Sequence, residues 1–328
     1  MVTTMYPSNS YVPPVQEYDE NFKLTDDYIA TLPDLQDGNI KGSHVYIPHV
    51  GIHNFNIPLK IKTRDGEPIV VKASITGTVS LDAEKKSINM SRIIRTFYEH
   101  AENVFSLKLL EDVLKDIRVK SGSFDAQMDI RFSYPIKQEA LRTEGLAGWQ
   151  FYEVGFKIDL ADDINSVNNI ICRKFIEFDF VYSSACPCSY ELAEYARATR
   201  NVATVPHSQR SVARVQLLLN EDHPHIWIEE IQELCLAALH TETQVLVKRP
   251  DEQAFAELNG TYTKFVEDAA RQLHQVFDPR EDIEDFRIVC SHLESLHSHD
   301  AIAILTKFSE DGYYLPTLSV QELRSLVR

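Results

Sequence analysis

Residues 183–211 read SSACPCSYELAEYARATRNVATVPHSQRS and bring two thiols, a histidine and an arginine into one stretch. Cys186 precedes Pro187, and a residue before proline is driven to extended backbone, so Cys186 should finish a strand. Ser189 is then expected to cap a helix beginning at YELAEYA, with Glu191 favourable in its first turn. A thiol at a strand end beside a helix N-terminus lies where thiolate is favoured, which suits a nucleophile or a metal ligand. Redox exchange normally uses CxxC, and the spacing of Cys186 and Cys188 is tighter than that. Most cysteines are small buried hydrophobes, and Cys172, Cys235 and Cys290 read that way because they sit in apolar stripes. His207 follows Pro206 at the entry to a strand and gains meaning only together with Cys186.

Two further groups could do chemistry. The stripe Ile231, Leu234, Cys235, Ala238, extended by one helical step of four, lands on Glu242 and would aim its carboxylate at the buried side. If the helix instead stops at His240, Glu242 is simply exposed. In HLESLHSHDAIAI (292–304), His297 and His299 are two apart and share a strand face with the small Ala301 and Ala303, with Glu294 close by. Paired imidazoles suit proton transfer near neutral pH, while a polar strand end facing water explains them equally well. His223 and His225 flank Pro224 in a polar turn and read as solvated, and His44, His49 and His53 have no evident partners. The chain contains no P-loop, GxGxxG or HExxH motif.

The elements that must position these residues fall in a repeating order. Residues 1–40, rich in Pro, Ser, Asp and Tyr, read as a loosely ordered arm. Segments 51–63 and 68–82 read as strands joined at Asp65-Gly66. Apolar residues spaced three and four apart predict helices over 90–104 and 106–119, and strands return at 123–136 and 148–160. The second half repeats the theme, with strands at 174–185 and 211–220, helices at 226–240 and 263–277, and strands at 284–295 and 298–308. The expectation is an α+β protein of two tandem ββααββ units, over 41–165 and 166–328, forming a curved antiparallel sheet with helices on one face. Open sheet edges invite pairing with further copies, so a ring oligomer follows.

Composition narrows the function. Of 328 residues, 44% are hydrophobic and 25% charged, the balance of a globular protein. No apolar run approaches a membrane span, and the N-terminus lacks the basic and apolar regions of a secretory signal. Five cysteines, an odd number, do not form a disulfide framework, so a reducing cytoplasmic setting is expected. A formal net charge of −16 argues against nucleic acid and leaves small anions open, provided cations gather in one cleft.

In order along the chain, CPCS, PHSQRS, TETQVLVKRPDE with Glu257 beyond it, and ESLHSHDA closely resemble the prokaryotic type IB GTP cyclohydrolases. The likeness runs from about Val50 onward and is densest between 183 and 303. It implies the tunnelling (T-fold) architecture and a ring-shaped homotetramer with sites at subunit interfaces. It also implies metal-dependent conversion of GTP and water to 7,8-dihydroneopterin triphosphate and formate, the first step of tetrahydrofolate biosynthesis. By this resemblance Cys186, His207 and Glu242 match metal ligands, for zinc, manganese or iron, and Glu257 matches the carboxylate that anchors the guanine edge. His297 and His299 match proton-transfer histidines supported by Glu294, and Cys188 lies beside the metal. Ser189, Gln209 and Arg210 fall near the substrate, Arg210 toward phosphate. The link YELAEYARATRNVATVP is longer than in many members, but loop length costs little closure entropy. Two rival readings are a nitrile reductase of the same fold, with a cysteine nucleophile and a nicotinamide cofactor, and a non-enzymatic metal-binding protein.

Overall fold

The computed structural model describes residues 17–33, 39–100, 102–162, 170–222 and 225–307. Its elements, in chain order, begin with α1 (Asp26–Ala30), β1 (Ile47–Ile61), β2 (Ile69–Leu81), α2 (Met90–Glu99), β3 (Val104–Phe105) and α3 (Leu107–Ser121). They continue with β4 (Ala126–Glu139), β5 (Ala147–Asp162), β6 (Ile170–Ala185), α4 (Pro187–Arg200) and β7 (Ser208–Leu219). The chain then forms α5 (Ile228–Leu239), α6 (Arg249–Thr261), α7 (Val266–Phe277), β8 (Ile283–His292) and β9 (Ala301–Thr306). Of the expected arm, residues 1–16 and 34–38 lie outside the described residues, and α1 is an exposed turn capped by Thr25.

The strands form one sheet in the order β3-β1-β2-β4-β5-β6-β7-β8-β9. Alternation explains its two faces. Ile57, Leu59, Val71, Ala73, Ile75, Met128 and Ile130 turn inward, where Ile93 and Phe97 of α2 and Leu110, Val113 and Leu114 of α3 cover them. In the later strands Phe178, Phe180, Val215 and Leu217 do the same beneath Ile231 and Cys235 of α5 and Ala269 and Leu273 of α7. All of these belong to one continuous core, so the two halves of the chain share their burial. The other face carries charge, with Arg131 paired to Glu177 and Arg214 to Asp179 at 2.7 Å. Helix ends follow local chemistry: Ser106 caps α3 by accepting from the Leu109 N–H, and Gly122 closes it in the left-handed conformation at φ 61°.

The expectation of two tandem ββααββ T-fold units in an antiparallel sheet is overturned. The nine strands form a single mixed sheet, with seven helices among the described residues. The short β3 lies between α2 and α3 and pairs parallel to β1, at Lys60–Val104 and Ile61–Phe105. In the second half α4 separates β6 from β7, and α6 stands between α5 and α7, so the halves do not repeat element for element. A two-residue strand is too short to show an alternation, and α4, the helix expected to begin at YELAEYA, stands outside the ββααββ pattern with only Ala193 buried. Among the described residues no helix is long and apolar enough to cross a membrane.

Register then assembles one end of the sheet. Ala185 at the end of β6 faces Ser208 at the start of β7, Tyr182 faces Ser211, and Ser211 faces His292 at the end of β8. The β5–β6 pairing stops at Val154–Phe178, and beyond it the segment 241–243 takes the place beside β6. There Ser183 N–H donates to Thr241 O at 2.8 Å and Thr243 N–H to Val181 O at 3.1 Å, with Glu242 bridged to Tyr182.

Candidate functional site

Cys186 stands one residue past β6 and is itself the N-cap position of α4, with Pro187 opening the helix. The expected cap, Ser189, therefore lies inside the first turn. Its hydroxyl instead accepts the His207 N–H at 3.1 Å. The long link is closed by local bonds: Asn201 ends α4 in the left-handed region at φ 51°, and Thr204 Oγ1 donates to Ala193 O at 2.8 Å. The chain thus doubles back, and the Cys186 N–H donates to His207 O at 3.2 Å. Cys186 is half-buried and Cys188 exposed. Of the cysteines read as core, Cys235 and Cys290 are buried and Cys172 is half-buried.

Glu294 meets the same histidine. Its Oε2 lies 3.6 Å from His207 Nδ1, beyond hydrogen-bond reach, with side chains only 11% and 17% exposed respectively. Both atoms are buried and without a hydrogen-bond partner among the described residues. Buried polar atoms are nearly always satisfied, so this pair marks a place built for something further. An imidazole nitrogen and a carboxylate oxygen left open beside a cysteine suit a divalent cation, for which zinc, manganese and iron all accept such donors.

Glu242 is held differently. It is 3% exposed, and its carboxylate accepts from Tyr152 Oη at 2.6 Å, from Gln232 Nε2 at 3.2 and 3.0 Å, and from Gln138 Nε2 at 3.0 Å. Burial pushes its pKa above the ordinary glutamate value, against the lowering by those donors. The helix does stop, at Leu239, with His240 at φ 61°, so the bridge to Tyr182 rather than a continued stripe is what buries Glu242. Among the described residues no three His, Cys, Asp or Glu side chains converge closely enough to hold an ion.

His297 and His299 do not lie on a strand, since β9 begins at Ala301; they stack in the preceding loop at 5.0 Å, exposed. The loop is tied back by the Glu294 N–H to Asp300 at 3.1 Å and by Ser295 Oγ to Ser208 O at 3.2 Å. Gln209 is buried and donates to Ser184 Oγ at 3.0 Å, while Arg210, its neighbour on the opposite face, is exposed. Glu257, exposed on α6, pairs with Arg142 from the β4–β5 turn. His223 lies outside the described residues, and His225 packs edge-on against Trp227 at 4.4 Å.

A family model for type I GTP cyclohydrolase folE2 matches residues 32–303. The chain belongs to that family. It is 48% identical over 295 residues to the GTP cyclohydrolase FolE2 of Paracoccus denitrificans (strain Pd 1222), covering 89% of each chain. It is 46% identical over 316 residues to that of Ruegeria sp. (strain TM1040), covering 95% of this chain and 83% of the relative. In fold the chain is similar to the crystal structure of uricase from Arthrobacter globiformis, with a TM-score of 0.53 at 9% identity, over 82% of this chain and 96% of that one. Identity so low concerns the fold alone.

Sequence reasoning about this family member missed the residues that support the site. Tyr152, Gln138 and Gln232 surround Glu242, and only Gln232 left a trace, as a polar side chain next to Ile231 on the buried stripe. Lys264 was also passed over. It is 2% exposed, its N–H donates to Ala185 O at 3.2 Å, and its Nζ reaches Thr241 Oγ1 at 3.1 Å and Tyr262 O at 2.5 Å. Burial pulls its ammonium pKa down to about 8.

Proposed function

We propose that this chain is a metal-dependent GTP cyclohydrolase of the type IB form, acting at the first step of tetrahydrofolate biosynthesis. The reaction converts GTP and water to 7,8-dihydroneopterin triphosphate and formate. The observation that carries the reading is the family match over residues 32–303, and the open His207 and Glu294 atoms support its metal dependence. Cys186, His207 and Glu242 would have to draw closer together than they stand here to hold zinc, manganese or iron, and when bound the ion supplies the Lewis acidity that makes water a nucleophile at neutral pH.

The protein's own side chains do the rest. Glu257 accepts two N–H bonds from the guanine edge, at N1 and the 2-amino group, and so orients the ring. Release of C8 as formate breaks two C–N bonds, and each departing nitrogen must take up a proton. His297 and His299 deliver those protons, with Glu294 keeping the imidazoles in the required state. Cys188, exposed in the first turn of α4, is free to meet the substrate, and Ser189 steadies His207 through its backbone. Gln209 fixes the strand that presents Arg210, whose guanidinium meets phosphate. Residues 166–328 carry most of the site and 41–165 support it. Assembly into a homotetramer with sites at subunit interfaces is supported by the two edge strands, β3 and β9, that no other described strand pairs on their outer side; in β9, Ile302 and Ile304 are exposed.

Turnover of GTP by metal-stripped protein, with and without added manganese or zinc, tests this reading through pteridine fluorescence after oxidation and through formate release. Both products should appear only with metal, and Cys186→Ala should reduce the rate by about a thousandfold or more. A folded protein that yields neither product with any metal would return the chain to the nitrile reductase or metal-binding alternatives.

A further inference from the structure

Glu257, the carboxylate given above to guanine, is already engaged. Arg142 grips it with both terminal nitrogens, Nη1 to Oε1 at 3.3 Å and Nη2 to Oε2 more closely. A guanidinium fork and the guanine N1–H with its 2-amino group ask for the same two in-plane carboxylate oxygens. Both cannot be held in that geometry, so guanine must displace Arg142.

The surroundings make that displacement a side-chain movement only. Asp251, fully buried at the start of α6, accepts the Arg142 N–H at 2.7 Å, the Thr143 N–H at 2.9 Å, the Thr143 hydroxyl at 2.6 Å and the Lys248 N–H at 2.9 Å. These bonds hold its pKa far below the ordinary aspartate value, the Thr143 hydroxyl foremost. The turn carrying Arg142 is thereby fastened to the helix carrying Glu257. The ion pair itself is open to water, its side chains 45% and 52% exposed, and exposed pairs part at little cost. The displaced guanidinium is solvated by water, and a nucleoside triphosphate offers it a second anion to pair with. A nucleoside without phosphate must break the pair and offers nothing in return.

We propose that Arg142 is a further substrate-positioning residue, which guards Glu257 until the guanine edge arrives and then transfers to the substrate's phosphate oxygens. The inference rests on the reading of Glu257 as the guanine anchor. It deepens that reading by making discrimination for phosphorylated over unphosphorylated guanine nucleosides an exchange of one anion for another.

Steady-state kinetics on the metal-loaded protein test it, with the KM for GTP and the competitive inhibition constant of guanosine measured side by side. In Arg142→Ala, guanosine should bind roughly two- to fivefold more tightly, since no ion pair opposes it. The KM for GTP should rise about tenfold or more, since the phosphate contact is gone. Arg142→Lys keeps the charge without the fork and should recover part of the GTP affinity. The Asp251 bonds to backbone N–H groups survive in both variants, so thermal unfolding should stay within about 2 °C of the parent. Weaker binding of guanosine and GTP alike in Arg142→Ala, or no change in either, overturns the exchange. Glu257→Gln separates the two readings: unaltered guanosine inhibition there removes the anchor itself. Lost inhibition there, with Arg142→Ala silent, removes only the exchange.

Discussion

Glu242 and Glu294 are two buried carboxylates at one end of one sheet, and their surroundings are opposite. Register places them at the same level, through Glu242–Tyr182, Tyr182–Ser211 and Ser211–His292, with Glu294 two residues beyond. Glu242 is positioned by three neutral side chains, Tyr152, Gln232 and Gln138. Among the described residues Glu294 Oε2 has no hydrogen bond, 3.6 Å from an equally open His207 Nδ1. Neutral donors around a buried carboxylate fix its position while leaving its charge uncompensated. An open carboxylate facing an open imidazole has kept its capacity for a ligand or a proton. The difference separates a carboxylate whose position the fold has fixed from one whose oxygen it has left open.

The largest effect should come from Glu242→Ala, which strands the Tyr152 hydroxyl and two glutamine amides in the interior. Loss of about 3–5 kcal/mol in denaturant unfolding is expected, against about 1–2 for Glu242→Gln, which keeps most of the shape. A loss below about 1 kcal/mol for the alanine variant would show that the network is not structural.

Next comes Glu294→Gln. Among the described residues its Oε2 accepts no hydrogen bond, so stability should change by less than about 0.5 kcal/mol while kcat for GTP falls about a hundredfold. The comparison breaks if this variant unfolds easily and turns over normally.

A third buried ionisable group sharpens the contrast by a smaller amount. Lys264 reaches Thr241, the neighbour of Glu242, and among the described residues no carboxylate pairs with it. Its folded-state pKa, about 8, lies below the unfolded 10.5, so the unfolded chain binds the extra proton between those values. Stability from this group is therefore lowest at and below pH 8 and rises as pH climbs toward 10.5. Unfolding of wild type and Lys264→Met across that range should show a difference that shrinks by on the order of 2 kcal/mol as pH rises. A pH-independent difference would mean that the ammonium is compensated. Tyrosines titrating in the same range affect both proteins alike and cancel.

Legibility differed residue by residue. The strand end at Cys186 was readable because proline constrains the residue before it, a purely local effect. The cap was misplaced by three positions because Pro187 itself opens the helix, leaving Ser189 free to bond His207. Burial of Glu242 was foreseen as one of two outcomes, yet its cause, a bridge to Tyr182 some sixty residues earlier, left no mark in local periodicity. His297 and His299 are adjacent as their spacing suggested, through loop stacking rather than a shared strand face.

By itself the sequence determined what depends on near neighbours, the alternation and stripes of most elements, their approximate order and the motif blocks that mark the family, together with a formal net charge of −16. Tertiary structure alone decided that nine strands make one mixed sheet, that His207 returns to Cys186 across a helix, and that Glu294, Lys264 and Arg142 stand where they do. These facts follow from register and chain reversal, which are set by all the strands packing at once on a shared core. No window of a few residues contains that information.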